Sequence, residues 1–478
     1  MHDLSSLITA HDVRGLVPEQ LTPPVSHALG VAFAHVVVLP DGRREMVLGR
    51  DMRASSPELA EAFARGVSAA GVDVLDIGRC ATDQLYFATG TKRCPGAMVT
   101  ASHNPAAYNG IKLSRSAAVP VAEDSGLSEI RDVAQWLLDR GSVHVGALDG
   151  ERRGARRTED TLAAYVAHLH SLVDLQGMRR LRVVVDAGNG MAGLTAPAVL
   201  GALGDRCELV GLHLRLDGTF PNHAANPLDP ATLVDLQQAV LAQKADLGLA
   251  FDGDADRCFV VDEKAQPLSA STVTALVAER EIRKEISRGV APADIAVVHN
   301  ASCSRSVPAT VRRLGARPVR TRVGHSRVKA AMAEHDAVFG GEHSGHYYFR
   351  DFWRADSGML AALHVLAALD EAPGSVTMSA LAQPFDPYHQ SGEINFTISE
   401  VEPALEQVRR WAEDRDPHVA VDTDDGLSLV SVGDEATFWS VSVRSSNTEP
   451  LVRLNVEASE VRSMRQIRDA VCRVLQAA

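Results

Sequence analysis

Aromatic residues are scarce, with Phe, Trp and Tyr together making up 5% of 478 residues. Interior packing must therefore rest on Ala, Val and Leu. The six cysteines (Cys80, Cys94, Cys207, Cys258, Cys303, Cys472) are scattered and form no CxxC pair. That spacing supports neither a zinc knuckle nor a disulfide framework, and it fits a reducing compartment. The sequence has no run of about eighteen or more apolar residues, so no membrane-spanning helix is expected. Its first residues hold no basic region leading into an apolar stretch, so no secretory leader is expected and the cytoplasm is the expected location. Basic residues are outnumbered, 48 Lys and Arg against 61 Asp and Glu, for a formal charge of -13. Such a balance excludes broad binding to nucleic acid or anionic membrane. It still allows a phosphate ligand, provided that arginines gather in one cleft.

What is present is ordinary globular material, 45% hydrophobic and 23% charged. The length exceeds what one core accommodates and predicts three or four domains. Strand-like and helix-like segments alternate, which predicts an α/β class. One plan recurs three times. Met46–Gly49, Val72–Ile77 and Ala97–Thr100 read as strands of the first copy, with a helix from about Pro57 capped by Ser56. Leu181–Val185, Glu208–Leu214 and Asp246–Phe251 form the second copy. Ile295–His299, Pro318–Val323 and Ala337–Phe339 form the third. Each copy sets its most polar loop after its third strand, and in α/β sheets ligands gather beyond the carboxyl ends of strands. From about Gln383 the pattern changes to a small α+β unit, with strands at Glu393–Ile398, Phe438–Val443 and Leu451–Val456 and a helix at Val461–Gln476.

The loops carry the chemistry. Asp252-Gly-Asp-Ala-Asp-Arg257 spaces three carboxylates two residues apart, which no helix face could unite. A tight turn at Gly253 and Ala255 can converge them on one hard cation such as Mg²⁺. An EF-hand is excluded, because Arg257 stands at the sixth position where that loop needs Gly. Thr100-Ala-Ser-His-Asn-Pro105 offers Ser102 at a strand end, with His103 adjacent and Lys112 able to return to the same cleft. Gly341-Glu-His-Ser-Gly-His346 supplies Glu342 and Ser344 for sugar hydroxyls, its histidines reading as supporting groups rather than metal ligands. Arg444-Ser-Ser-Asn-Thr-Glu-Pro450 gathers the donors that a phosphate dianion requires. His11-Asp-Val-Arg-Gly15 places Arg14 near the start.

Taken in order, these loops resemble the α-D-phosphohexomutase superfamily across nearly the whole chain. Thr321-Arg-Val-Gly-His-Ser326 and Phe220-Pro-Asn-His223 look most like its bacterial phosphomannomutase and phosphomannomutase/phosphoglucomutase branch. The resemblance implies three related α/β domains around a central cleft plus a C-terminal α+β domain of TATA-binding-protein-like fold. The expected limits are 1–150, 151–257, 258–372 and 383–478. It implies an enzyme that interconverts hexose 1-phosphates and hexose 6-phosphates, mannose first and glucose second, through a phosphoserine and a hexose 1,6-bisphosphate. A phosphoglucosamine mutase and a metal-dependent sugar phosphatase are the rival readings. Ser102 looks like the phosphocarrier, completing a Mg²⁺ shell with Asp252, Asp254 and Asp256. Arg257 and Arg14 would steady the transferred phosphate, and Lys112 and His325 are similar to the proton-transfer pair. Glu342 and Ser344 would hold the sugar, while Arg444, Ser446, Asn447, Thr448 and Arg453 would grip the other phosphate. His11 and Ser445 depart from the family's usual Tyr and Pro.

Overall fold

The computed structural model describes residues 3–8, 11–140, 153–175, 177–398, 400–433, 437–445 and 451–477. Four sheets organise them, three within helix-covered α/β units and one antiparallel. The first sheet runs Val13–Leu16, Tyr108–Ser114, Gly96–Val99, Glu45–Arg50, Asp73–Arg79, Arg156–Thr158. Its last four strands are parallel, and Tyr108–Ser114 returns antiparallel, so the Ser102 loop is held between Gly96–Val99 and a paired partner. Arg156–Thr158, from the stretch expected to open the second domain, pairs with this first sheet.

In the second sheet Leu247–Phe251 lies parallel to Leu181–Asp186 and antiparallel to Cys258–Asp262. The aspartate loop is therefore a hairpin connection pinned on both sides. The third sheet runs Arg317–Thr321, Ala296–Asn300, Phe339–Gly341, Tyr347–Phe349, Ala355–Asp356. In the fourth, Trp439–Ser445 and Val452–Ala458 form the centre, packed on helices Val401–Arg415 and Val461–Gln476.

The aromatic-poor interior is aliphatic as composition required. Helix Gly358–Glu371 is buried from Gly358 to Leu369 by Ala, Leu, Val and Met, with His364 among them. The second and third units share one continuous core, whereas the first and fourth have their own.

Two local expectations are corrected. Ser56 is not the N-cap: it is the first helical residue of Ser56–Ala69, and its hydroxyl donates to Asp51 Oδ1 at 2.5 Å. The third copy's last strand lies at Phe339–Gly341 rather than Ala337–Phe339. Gly341 reads as the opening of a polar loop, yet it and Gly340 serve packing. A Cβ at Gly341 would lie 2.3 Å from the Thr274 side chain, and one at Gly340 would lie 2.9 Å from Met332 Sδ.

Candidate active site

The loop of the first sheet and the loop of the second meet directly. Ser102 Oγ donates to Asp252 Oδ2 at 2.6 Å, although 150 residues separate them. Ser102 occupies the left-handed region at φ 48°, a conformation that costs a non-glycine residue energy and clusters at functional sites. A Cβ at Gly253 would stand 2.3 Å from Ser102 O, so this approach requires glycine there. The serine loop is clamped from below by Arg53, which donates to Ser102 O at 2.9 Å, Asn104 O at 2.7 Å, Pro105 O at 2.8 Å and Tyr108 O at 2.9 Å. Arg53 is buried and paired with Asp51 at 3.2 Å. Sequence reasoning missed it. The available signal was a charged loop, Asp51-Met-Arg53, beyond the carboxyl end of the first strand.

The three aspartates are buried and carry ligand oxygens within 4.8 Å of one another. Asp254 Oδ1 and Asp256 Oδ1 have no hydrogen-bond partner among the described residues. Buried orphan oxygens on converging carboxylates fit a hard divalent cation such as Mg²⁺. Lys112 Nζ bridges Asp254 Oδ2 at 2.7 Å and Asp256 Oδ2 at 2.5 Å, and Thr82 Oγ1 donates to Asp254 Oδ2 at 2.6 Å. Burial pushes the Asp252 carboxyl well above the usual range, reinforced by Asp256 and Asp254. Burial also opposes ionisation of Asp256, but Lys112 and His346 outweigh it and hold that carboxyl low. Glu263, the twelfth residue of the excluded EF-hand, instead accepts from Ser379.

His103 Nδ1 lies 3.2 Å from Ser102 Oγ and 2.9 Å from Arg257 Nη2. A guanidinium can only donate, so Nδ1 accepts from Arg257, and the single hydroxyl proton of Ser102 points to Asp252. Arg257 Nε also lies 3.2 Å from His346 Nε2 and 3.6 Å from Asp252 Oδ2. Arg14 Nη1 donates to Ala101 O at 3.2 Å and to Asn104 Oδ1, while Asp12 holds its Nε at 3.0 Å. Lys112 and His325 differ in charge. Burial works against the Lys112 ammonium, but Asp254 and Asp256 raise its pKa well above the lysine norm. Burial drives the His325 pKa well below the imidazole norm, with His11 adding. His325 also opens helix His325–Glu334, whose positive end disfavours an imidazolium. Its Nδ1 is buried with no hydrogen-bond partner among the described residues.

These groups face one cavity of about 1020 Å³, lined from all four units by Arg14, Lys112, Arg257, His325, Glu342, Ser344, Arg444 and Arg453. Ser102, Asp252 and Asp254 sit just behind its wall, almost wholly buried. Glu342 Oε1 accepts from Asn300 Nδ2 at 3.0 Å and Gly324 N at 3.1 Å, and its Oε2 accepts from Tyr348 OH at 2.6 Å. Ser344 Oγ lies 2.9 Å from His346 Nδ1. Arg444 and Arg453 face each other across neighbouring strands, an arrangement of like charge that favours an anion between them. Ser446, Asn447 and Thr448 lie outside the described residues. His11, whose Nδ1 is 2.9 Å from Ser326 Oγ, joins the cavity beside His325, with ring centres 5.0 Å apart.

Family models match the chain in succession. The Phosphoglucomutase/phosphomannomutase alpha/beta/alpha domains I, II and III cover residues 6–135, 163–265 and 271–388, and the family's C-terminal domain covers 393–474. A phosphomannomutase of Salmonella montevideo is 38% identical over 454 residues, 94% of each chain. A phosphoglucomutase/phosphomannomutase family protein from Burkholderia thailandensis superposes with a TM-score of 0.84 at 32% identity, covering 100% of this chain and 98% of the other. The fold extends to an Aspergillus fumigatus N-acetylphosphoglucosamine mutase crystallised with GlcNAc-6P and magnesium, at TM-score 0.55 and 16% identity over 90% and 82% of the chains.

Proposed function

The chain belongs to the phosphoglucomutase/phosphomannomutase family of the α-D-phosphohexomutase superfamily, and from that premise we propose that it interconverts mannose 1-phosphate and mannose 6-phosphate, accepting glucose phosphates as second substrates. The observation that carries the mechanism is the 2.6 Å contact between Ser102 Oγ and the aspartate loop. A phosphoryl group on that serine lies beside three buried carboxylates of like charge, so it needs a cation between them, with Arg257 close by to help. The reading of the hexose rests on the name borne by the full-length relatives.

Phosphorylated Ser102 gives its phosphoryl group to the free hydroxyl of the hexose phosphate: the Oγ–P bond breaks as a new O–P bond to the sugar forms. Asp252, Asp254, Asp256 and the phosphoserine would hold Mg²⁺, which would supply charge neutralisation at the phosphoryl oxygens. Arg257 and Arg14 steady the same oxygens. His325, which burial keeps neutral, takes the hydroxyl proton. Lys112, charged, gives a proton to the sugar oxygen released on the second transfer, and the proton left on His325 returns to Lys112 through solvent, so both groups are reset. The bisphosphate then turns within the cavity, and its other phosphate goes back to Ser102. Arg444 and Arg453, with Ser446, Asn447 and Thr448, hold whichever phosphate is not reacting, and Glu342 and Ser344 hold the sugar. Such catalysis is positioning plus charge neutralisation, and it requires that water stay out. No helix among the described residues is long and apolar enough to cross a membrane, and the proposed setting is the cytoplasm.

A coupled assay on mannose 1-phosphate, glucose 1-phosphate and glucosamine 1-phosphate, with wild type beside Ser102→Ala, tests the reading. Mannose phosphate should turn over fastest, and the variant should lose about 1000-fold or more in kcat. Undiminished activity in the variant would end the phosphocarrier role. Preference for glucosamine phosphate would move the substrate, and free phosphate as main product would make the enzyme a phosphatase.

A further inference from the structure

A second group of metal-ligating side chains lies in the second unit, outside the cavity. Asp186 ends the strand Leu181–Asp186, His213 follows the parallel strand Cys207–Leu212, and His223 comes from the loop beyond. One ligand atom from each lies within 4.8 Å of the others. His223 Nε2 stands 3.0 Å from Asp186 Oδ2, and the two imidazole centres are 5.2 Å apart. Asp235, in the first turn of helix Val234–Gln243, sets its Oδ2 3.0 Å from His213 Nε2. Tetrahedral ligands at zinc–nitrogen and zinc–oxygen distances lie about 3.3 Å apart, a separation that His223 Nε2 and Asp186 Oδ2 already approach at 3.0 Å.

Neighbouring backbone groups orient His223 and Asp186 toward each other. His223 Nδ1 lies 2.8 Å from Ala224 O, a carbonyl that can only accept, so Nδ1 carries a proton. With Nδ1 so occupied, Nε2 is the nitrogen that faces the carboxylate oxygen of Asp186, which is 1% exposed. That carboxylate is itself oriented by Gly188 N, which donates to its other oxygen at 2.8 Å. Such an outer partner is what metal-binding groups use to hold their aim. Two nitrogens with carboxylate oxygens suit a transition ion; Mg²⁺ and Ca²⁺ prefer six or more oxygens.

We propose that Asp186, His213 and His223, with Asp235 orienting His213, bind a divalent transition ion of the zinc class, at a site separate from the aspartate loop. The ion ties the loop of His223 to the ends of two strands. That loop lays Phe220 against the Arg53 guanidinium, 5.1 Å from the ring centre, and Arg53 clamps the Ser102 loop. On the other side, Met191 N, five residues past Asp186, donates to Gly253 O at 2.9 Å. The site thus braces both halves of the catalytic junction without entering it.

Co²⁺ is the probe. Chelator-treated full-length protein, kept in excess Mg²⁺ so that the aspartate loop is competed for, is titrated while visible absorption is read. A single equivalent should bind with the strong bands of a low-coordinate nitrogen and oxygen site, and Zn²⁺ should displace it. His213→Ala and His223→Ala should weaken binding by about 100-fold. Asp235→Asn, a milder change on an exposed carboxylate, should weaken it by about 10-fold and covers the case in which a histidine variant misfolds. Binding that is unaltered in all three variants, or Co²⁺ uptake only at levels that Mg²⁺ suppresses, would overturn the proposal and leave a His223–Asp186 ion pair.

Discussion

At the scale of single residues, the junction depends on an absence. Gly253 has no Cβ, and one placed there would overlap Ser102 O at 2.3 Å. Both atoms concerned are backbone or bonded to it, so no side-chain rotation relieves the overlap. Gly253→Ala must separate the two loops by several tenths of an ångström, and misplacement on that scale is costly where reacting groups must align. We expect kcat to fall by about 100-fold, with substrate KM little changed because the phosphate and sugar contacts lie elsewhere. Steady-state kinetics decide it, and a kcat within twofold of wild type would contradict the argument. His325 supports a second expectation. Its pKa is lowered by burial, so the neutral base persists as pH falls through the ordinary imidazole range near 6.5. The acid limb of kcat/KM should therefore have its midpoint below 6.5 and change in His325→Ala. A wild-type limb at or above that pH, unchanged by the substitution, would remove His325 as the base.

At the scale of elements, the helix Thr82–Lys92 joins three units at one carboxylate. Asp83 Oδ2 accepts from Tyr165 OH at 2.7 Å, on helix Leu162–Leu172, and from Ser357 Oγ at 2.6 Å, the cap of helix Gly358–Glu371. Burial raises its pKa to about 7, even though Ser357 and Tyr165 work to lower it. The unfolded group ionises near 3.8, so between that pH and about 7 the unfolded state releases a proton that the folded state keeps. Stability must therefore decline as pH rises across this window, by at most about 4 kcal/mol. Asp83→Asn keeps an acceptor for both hydroxyls and cannot ionise. Melting curves of the two proteins should converge near pH 4 and separate toward pH 7.5, with the variant the more stable; parallel curves would exclude the effect.

How much of this was legible follows from what a residue does in the fold. Strands such as Leu181–Asp186 and Val452–Ala458 announce themselves by apolar runs or alternation, because a sheet face must be buried. The chemistry-bearing loops were legible because carboxylates, hydroxyls and guanidinium groups are wasteful at strand ends unless a ligand uses them. Arg53, Thr82 and Asp83 were not, since their partners lie far along the chain, and nothing local separates a buried arginine from a solvated one. Gly341 misled because a glycine that admits a neighbour's side chain has the same letter as one that turns the chain.

At the scale of the molecule, the fourth unit completes the cavity yet stands on its own core, joined to the third through a few polar ties. Glu457 is central among them: its carboxylate accepts from Ser304 Oγ and, at 3.1 Å, from Arg305 N. Asp425 Oδ2 accepts from Val323 N at 2.8 Å, next to the His325 helix, and Arg444 Nε donates to Ser302 Oγ at 3.2 Å. A unit held by such contacts can tilt, and anions gripped between Arg444 and Arg453 would draw it toward the groups of the other three. The bisphosphate must turn over inside the cavity without being hydrolysed, so closure has a chemical purpose: it keeps water from competing with the sugar hydroxyl. Small-angle scattering should show a smaller radius of gyration with glucose 1,6-bisphosphate than without. Glu457→Ala removes charge-assisted hydrogen bonds of a kind that contribute about 1.5–3 kcal/mol. It should raise the ratio of phosphate released to hexose phosphate isomerised by about 10-fold, while leaving the Ser102 junction, which Glu457 does not touch, intact. Compaction absent in wild type, or an unchanged ratio in the variant, would mean that water is excluded by the fixed walls of the cavity and that the fourth unit does not close.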